Sequence, residues 1–142
     1  MSFDVPQSWF DWNPTCHYTG IDSLKGQFFN DTSDELRLFS VWGHSYEFDM
    51  ANKKHMSTVE NLIKAAKEKN IWCPTNIELV DYVNALRKSS YDSETITNNS
   101  DIDLYFIVNS MPITVKSNST YTFYDGTTAR QFFLQATQFA KT

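Results

Sequence analysis

The sequence predicts an α/β fold followed by a small antiparallel β appendage, and three observations carry that expectation. Short apolar runs at residues 38–41 and 71–73 stand beside segments whose apolar residues recur at helical spacing. Two capping boxes, Ser57-Thr58-Val59-Glu60 and Thr75-Asn76-Ile77-Glu78, mark helix starts after those runs. Beyond Lys88 the apolar period drops to two, the signature of half-buried strands. These observations divide the chain into a βα portion, residues 1–88, and a β-rich appendage with a terminal helix, residues 89–142.

Taken in order, residues 2–18 read as an extended segment with Pro6 and Pro14, rich in Trp9, Phe10 and Trp12. Those aromatics suit either core packing or a groove wall, since flat rings stack on planar or apolar ligand faces. Asp22 or Ser23 is placed to cap a short helix carrying Leu24, Phe28 and Phe29, which ends in the turn-forming Asn30-Asp31. A strand follows near residues 37–42. Val59, Leu62, Ile63 and Ala66 form the apolar stripe of a second helix ending near Asn70. Residues 71–73 read as a strand, and Leu79, Val80, Val83 and Leu86 as the face of a third helix. The strand, helix, strand succession predicts that 37–42 and 71–73 are parallel neighbours joined by a right-handed crossover.

Residues 89–100 read as a polar linker. Ile102, Leu104, Phe106 and Val108 then alternate with polar neighbours, Asn109-Ser110-Met111-Pro112 reads as a turn, and strands follow at 113–116 and 121–124. Thr127 or Thr128 precedes Phe132, Phe133, Ala136 and Phe139, a weakly amphipathic terminal helix. The appendage is expected to cover the edge of the βα portion rather than to act as a separate sugar-binding module.

Composition bounds the function. A chain of 142 residues, 41% hydrophobic and 15% aromatic, has material for one core and no second large domain. A net charge of -5, with Lys and Arg scattered, argues against a nucleic-acid partner. No basic start leads into an apolar run and no stretch reaches membrane length, so a soluble chain, cytoplasmic as expressed, without a membrane partner is expected. Cys16 and Cys73 lack the spacing of a disulfide framework or metal knuckle and read as reduced and mostly buried. Asn30-Asp31-Thr32, Asn98-Asn99-Ser100 and Asn118-Ser119-Thr120 fit the glycosylation pattern, which is frequent by chance.

Chemistry concentrates at residues 38–49. A strand-like run leads through Gly43 into His44, Tyr46, Glu47 and Asp49, which sets titratable groups at a strand mouth, where α/β proteins bind ligands. The bland alternative is a strand end with an ordinary hydrogen-bonded histidine. His17 is placed to approach His44 across adjacent strand ends, while His55, in the polar Asn52-Lys53-Lys54 loop, reads as surface.

Three blocks in order, Trp12-Asn13-Pro14-Thr15-Cys16-His17, residues 38–49 (Leu-Phe-Ser-Val-Trp-Gly-His-Ser-Tyr-Glu-Phe-Asp), and Ile71-Trp72-Cys73-Pro74-Thr75-Asn76 with Tyr82 following, resemble the C-terminal half of the polysaccharide deacetylases (NodB-homology, carbohydrate esterase family 4). The resemblance covers a little over half of the chain. It implies the last βα units of a (β/α) barrel-like deacetylase fold. That family removes acetyl groups from N-acetylated sugars with a divalent metal (zinc, cobalt or nickel) held by one Asp and two His, a second Asp as base and a late His as general acid. His44 resembles the late His, the catalytic candidate. Trp12, His17, Trp42 and Tyr46 become substrate-binding candidates, with Trp42 standing where the family usually has Leu. Asp11, Glu47 and Asp49 are candidates for holding the His44 ring, Asp11-Trp12 being similar to an Asp and Trp pairing in the family's fourth motif.

The family's early motifs, Thr-Phe-Asp-Asp-Gly and His-x-x-x-His-Pro, are absent from the sequence. No residue of this chain is therefore assigned as a metal ligand, and no cofactor is expected of the chain alone. The resemblance implies part of a carbohydrate-polymer deacetylase, inactive alone. Self-association, or a complementary N-terminal half, would cover what the missing units leave open. The alternative is a non-catalytic carbohydrate-binding or structural remnant of that family.

Overall fold

The computed structural model describes residues 2–33, 35–49, 54–92, 94–108 and 111–122, which combine helices with small sheets in a mixed α/β arrangement. They divide into two compact units, one running to Trp72 and the other beginning at Cys73. The division falls earlier than residue 88, because the third expected helix packs with the strands that follow it.

In the first unit, β1 (Cys16–His17) pairs in parallel with β2 (Val41–Trp42), with Cys16 opposite Val41 and His17 opposite Trp42. Just before β2, residues 37 and 38 pair with the N-terminal segment. Asp4 bridges Arg37 in antiparallel fashion and the Leu38 N–H donates to the Phe3 carbonyl at 2.7 Å. The Thr15 hydroxyl donates to the Leu38 carbonyl and accepts from the Ser40 N–H, so a side chain completes the backbone pairing where the strand is short. The run at 38–41 is half-buried, not the fully buried strand its composition predicts.

After β1 the chain turns through a 3-10 segment, Tyr18–Gly20, into α1 (Ile21–Phe29). Gly20, not Asp22 or Ser23, is the N-cap. Ile21 is fully buried, and with Cys16 and Tyr18 it forms the core against which Leu24, Phe39, Val41, Phe48, Val59 and Leu62 pack. Phe3, Phe28 and Phe39 form a second aromatic cluster, with centroids 5.3 to 5.7 Å apart. Arg37 is bound by Asp31 at 2.9 Å and by Asp4, and hydrogen bonds from Ser33 together with Arg37 hold the Asp31 carboxyl below its usual range.

The short α2 (Tyr46–Asp49) follows β2, and then α3 (Lys54–Glu68). Since α3 is already formed at Lys54, Ser57-Thr58-Val59-Glu60 lies inside the helix and not at its start. The far end of α3 explains why residues 71–73 form no strand and no parallel partner for β2. Asn70 takes the left-handed conformation (φ 54°), its N–H donates to the Lys67 carbonyl at 3.0 Å, and the Ile71 N–H donates to the Ala66 carbonyl at 2.8 Å. This is a Schellman cap. With Ile71 committed to closing α3 and Thr75 to opening the next helix, the three residues between them serve as a connector.

In the second unit, α4 (Asn76–Lys88) carries the full capping box: the Thr75 side chain accepts from the Glu78 N–H, and the Glu78 carboxylate accepts from the Thr75 N–H. The expected linker contains β3 (Ser90–Tyr91) and β4 (Thr95–Asn98), an antiparallel pair whose turn is held by Asp92. Asp92 accepts from the Glu94 and Thr95 N–H groups. Polar composition hid this hairpin, since its inward positions are Ile96 and Asn98. Among the described residues β7 (Ser119–Thr122) adds antiparallel to β4, and β5 (Leu104–Val108) pairs antiparallel with β6 (Met111–Val115). Leu104, Phe106, Val108 and Val115 join Leu79, Val83 and Leu86 of α4 among the buried residues. Asn98 is wholly buried, and its amide donates to the Ile102, Val115 and Lys116 carbonyls. The strands close no barrel among the described residues. The expected terminal helix lies outside them. Neither cysteine is in a disulfide; Cys16 is buried, whereas Cys73 is exposed.

Candidate functional site

The parallel register of β1 and β2 sets His17 beside Trp42, and the imidazole meets the indole edge-on with centroids 4.7 Å apart. Outward from this pair the turn after β2 carries the row on. Trp42 meets His44 edge-on at 5.4 Å, and His44 stacks on Tyr46 at 5.1 Å with the rings 13° apart. Trp42 is 46% exposed and Tyr46 62%, and His44 between them is exposed as well. Inward from His17, the row continues through Tyr18 at 4.4 Å to Phe48 and His55. All three histidines of the chain thus lie along one aromatic run.

Gly43 permits this bend. A Cβ at that position would lie 2.9 Å from Cδ1 of the buried Tyr18 ring, closer than carbon atoms approach. The turn therefore rests backbone-on-ring, which directs residues 44–46 outward.

Glu47 ties the row together. Its Oε2 accepts from the His44 backbone N–H at 2.7 Å, the reach-back a capping-box glutamate makes, and lies 3.1 Å from His17 Nε2. The His44 N–H first and the His17 ring next hold the Glu47 carboxyl below its usual range, although partial burial opposes this. A carboxylate only accepts, so Nε2 of His17 carries a proton. In the neutral ring Nδ1 is then an acceptor, and the Thr19 hydroxyl, 2.9 Å away, donates to it.

His55 is not a surface residue of a polar loop. It sits half-buried in the first turn of α3, with Nδ1 2.9 Å from the Tyr18 hydroxyl and 3.1 Å from the Glu47 carbonyl. Burial first, and the negative charge of Glu47 next, push the Tyr18 hydroxyl upward.

Of the residues singled out from sequence, His17, Trp42, His44, Tyr46 and Glu47 come together. Trp12 packs against Trp9 at 5.8 Å, Asp11 accepts from Asn13 at 3.4 Å, and Asp49 is exposed at the end of α2. Among the described residues the carboxylate bonded to both His17 and the His44 backbone is Glu47. Thr19, Tyr18 and His55 escaped sequence reasoning. Thr19 and Tyr18 adjoin His17 in sequence, a signal available but unweighted, while nothing in the sequence joins His55 to Tyr18.

A divalent metal of the kind the resemblance implies needs three convergent ligands. Among the described residues no group of three His, Cys, Asp or Glu side chains is placed to hold an ion. Both nitrogens of His17, Nδ1 of His55 and the Glu47 carboxylate are engaged with one another or with hydroxyl and backbone groups. The residues present do not fit such a group, and no step is routed through one. Among the described residues no helix is long and apolar enough to cross a membrane. Compared with family models, curated proteins and solved structures, the chain matches none.

Proposed function

We propose that the first unit presents the carbohydrate-facing side of a deacetylase-like domain, binding an N-acetylated sugar polymer across Trp42, His44 and Tyr46. The observation that carries this reading is the exposed His44 ring, stacked on exposed Tyr46 and edge-on to exposed Trp42. Two large rings flanking an imidazole suit a sugar chain, because the apolar faces of pyranose rings pack on aromatic planes while their hydroxyls meet polar tips. The resemblance of residues 38–49 to the deacetylases' late motif supports the same assignment and gives His44 the role of acid for the departing amine. Hydrolysis itself needs a polarised carbonyl and an activated water, which in that family a metal site supplies. The motifs for that site are not among these 142 residues, so in this reading the metal and the base come from residues outside them.

Titration of the chain with an acetylated chito-oligosaccharide, followed by tryptophan fluorescence, tests the reading. The titration should saturate, and Trp42→Ala or Tyr46→Ala should each weaken binding roughly two- to tenfold, the worth of one aromatic contact. Incubation with zinc, cobalt or nickel should release no acetate from the chain alone, because catalytic groups that act as a unit lose most of their effect when members are missing. No saturable binding would overturn the proposal. Metal-dependent acetate release abolished in His44→Ala would overturn the need for metal-binding residues outside this sequence.

A further inference from the structure

Thr19, His17 and Glu47 form a relay of hydroxyl, imidazole and carboxylate. The Thr19 Oγ1 lies 2.9 Å from His17 Nδ1, and His17 Nε2 lies 3.1 Å from Glu47 Oε2. Both distances are within the range of a nucleophile, a base and the group that orients the base. Exposure rises along the relay in the order that chemistry needs. The Glu47 and His17 side chains are 20% and 24% exposed, whereas Thr19 is open to solvent. The shared carboxylate fixes the tautomer, leaving the Nδ1 lone pair aimed at the hydroxyl. His17 is further packed against the Trp42 and Tyr18 rings, which restrict its movement.

We infer that Thr19, His17 and Glu47 constitute an acyl-transfer site that attacks carboxylic esters of small acyl groups through Thr19, a site separate from the sugar-facing role of His44. In the first step Oγ1 of Thr19 forms a bond to the ester carbonyl carbon as its proton passes to His17 Nδ1. The imidazolium is stabilised by Glu47. Collapse of the tetrahedral adduct breaks the bond to the alcohol oxygen, which leaves with the proton from Nδ1. Water then attacks the acyl-threonine, giving one proton to Nδ1, and collapse returns that proton to Oγ1 and releases the carboxylic acid. Water is the co-substrate, and no oxidant or metal is required. Thr19 is the nucleophile and His17 the base; Glu47 acts through His17 and is a positioning residue.

The probe is p-nitrophenyl acetate, mixed with the full chain and followed by p-nitrophenolate release and by mass spectrometry of quenched digests. The expected result is a burst with an acetyl adduct at position 19. Thr19→Val, which keeps the side-chain shape and whose fold is checked by circular dichroism, should slow acylation about 100-fold, within the usual reach of a positioned nucleophile and base. Thr19→Ser should keep the burst and the adduct. This second variant keeps the test decisive if the valine variant is misfolded. Glu47→Gln should shift the pH at which the burst rate reaches half its plateau, which a purely structural role would not do. An adduct on His17, an undiminished burst in folded Thr19→Val, or a rate no higher than that of free imidazole at the same concentration would each overturn the inference. The first two of these would mean that the Thr19 hydroxyl only orients the ring.

Discussion

The imidazole of His17 and the carboxylate of Glu47 meet at 3.1 Å across thirty residues of sequence. The same carboxylate oxygen receives the His44 N–H, so one atom joins β1 to the turn that presents the exposed rings. Because Glu47 is charged at neutral pH and the group it serves is a backbone amide, the junction holds whether or not His17 is protonated.

Acid should therefore loosen the first unit. Glu47 and Asp31 are held below their ordinary values of 4.5 and 3.8. Their contributions are complete above those values and are lost as pH falls through the depressed folded-state values. Urea midpoints taken from neutral pH down through the carboxylate range should decline over that window, and Glu47→Gln should flatten the decline. An unchanged profile in the variant would remove Glu47 from the account.

Gly43→Ala should destabilise the first unit by about 1–3 kcal/mol, the usual cost of forcing a methyl group into occupied space. The contact is with the Tyr18 ring at 2.9 Å, and the Phe48 ring lies next to it at 3.5 Å. Denaturation midpoints measure the loss, and quenching of Trp42 fluorescence by acrylamide should report the altered turn. A neutral substitution would show that the Tyr18 ring yields freely.

Thr75→Ala should cost about 1 kcal/mol, because it strips the acceptor for the Glu78 N–H at the start of α4. Thr75→Ser should restore most of it. Thermal melts of the three forms separate a cap from a packing effect, which serine would not rescue.

Tyr82 provides an alkaline test of the second unit. Burial pushes its hydroxyl up to about 12, although the Tyr105 N–H that donates to its oxygen at 3.3 Å pulls the other way. A group whose folded value is raised contributes fully below its ordinary value of 10.0 and loses that contribution as pH rises through the folded one. Absorbance of phenolate should show a late phase to which both Tyr82 and Tyr18 contribute, and Tyr82→Phe should reduce its amplitude. An undiminished late phase in the variant would assign it elsewhere.

Much of this was legible because local rules had no competitor. The Thr75-Asn76-Ile77-Glu78 box forms as written, and the alternation from Leu104 to Val108 forms the strand it implies. The errors arose where one signal served two readings. Ser57-Thr58-Val59-Glu60 has the letters of a helix start but lies within α3, since a capping box is as good a helix interior as its residues allow. Residues 71–73 have strand composition, yet Asn70 in the left-handed conformation takes the Ile71 amide for the helix end. The site divided in the same way. The cluster at 42–47 was visible as a run of ring-bearing and charged residues, but the partnership of Glu47 with His17, and of His55 with Tyr18, depends on chain segments meeting, which no local pattern encodes.

Asn98 has a consequence for how such a chain could be made. It is the first residue of an Asn-x-Ser triplet, and a glycan is attached to the same amide nitrogen that here donates to three carbonyls inside the fold. Sugar addition and native packing at this position are mutually exclusive outcomes. In a secretory compartment the two would race, and a chain modified at Asn98 before β6 closed over it would be barred from the native state. The exposed Asn118 triplet carries no such conflict, because its side chain lies at a surface turn. Glycan occupancy at position 98 would thus act as a clock, recording how quickly the second unit folds relative to the enzyme that would trap it open.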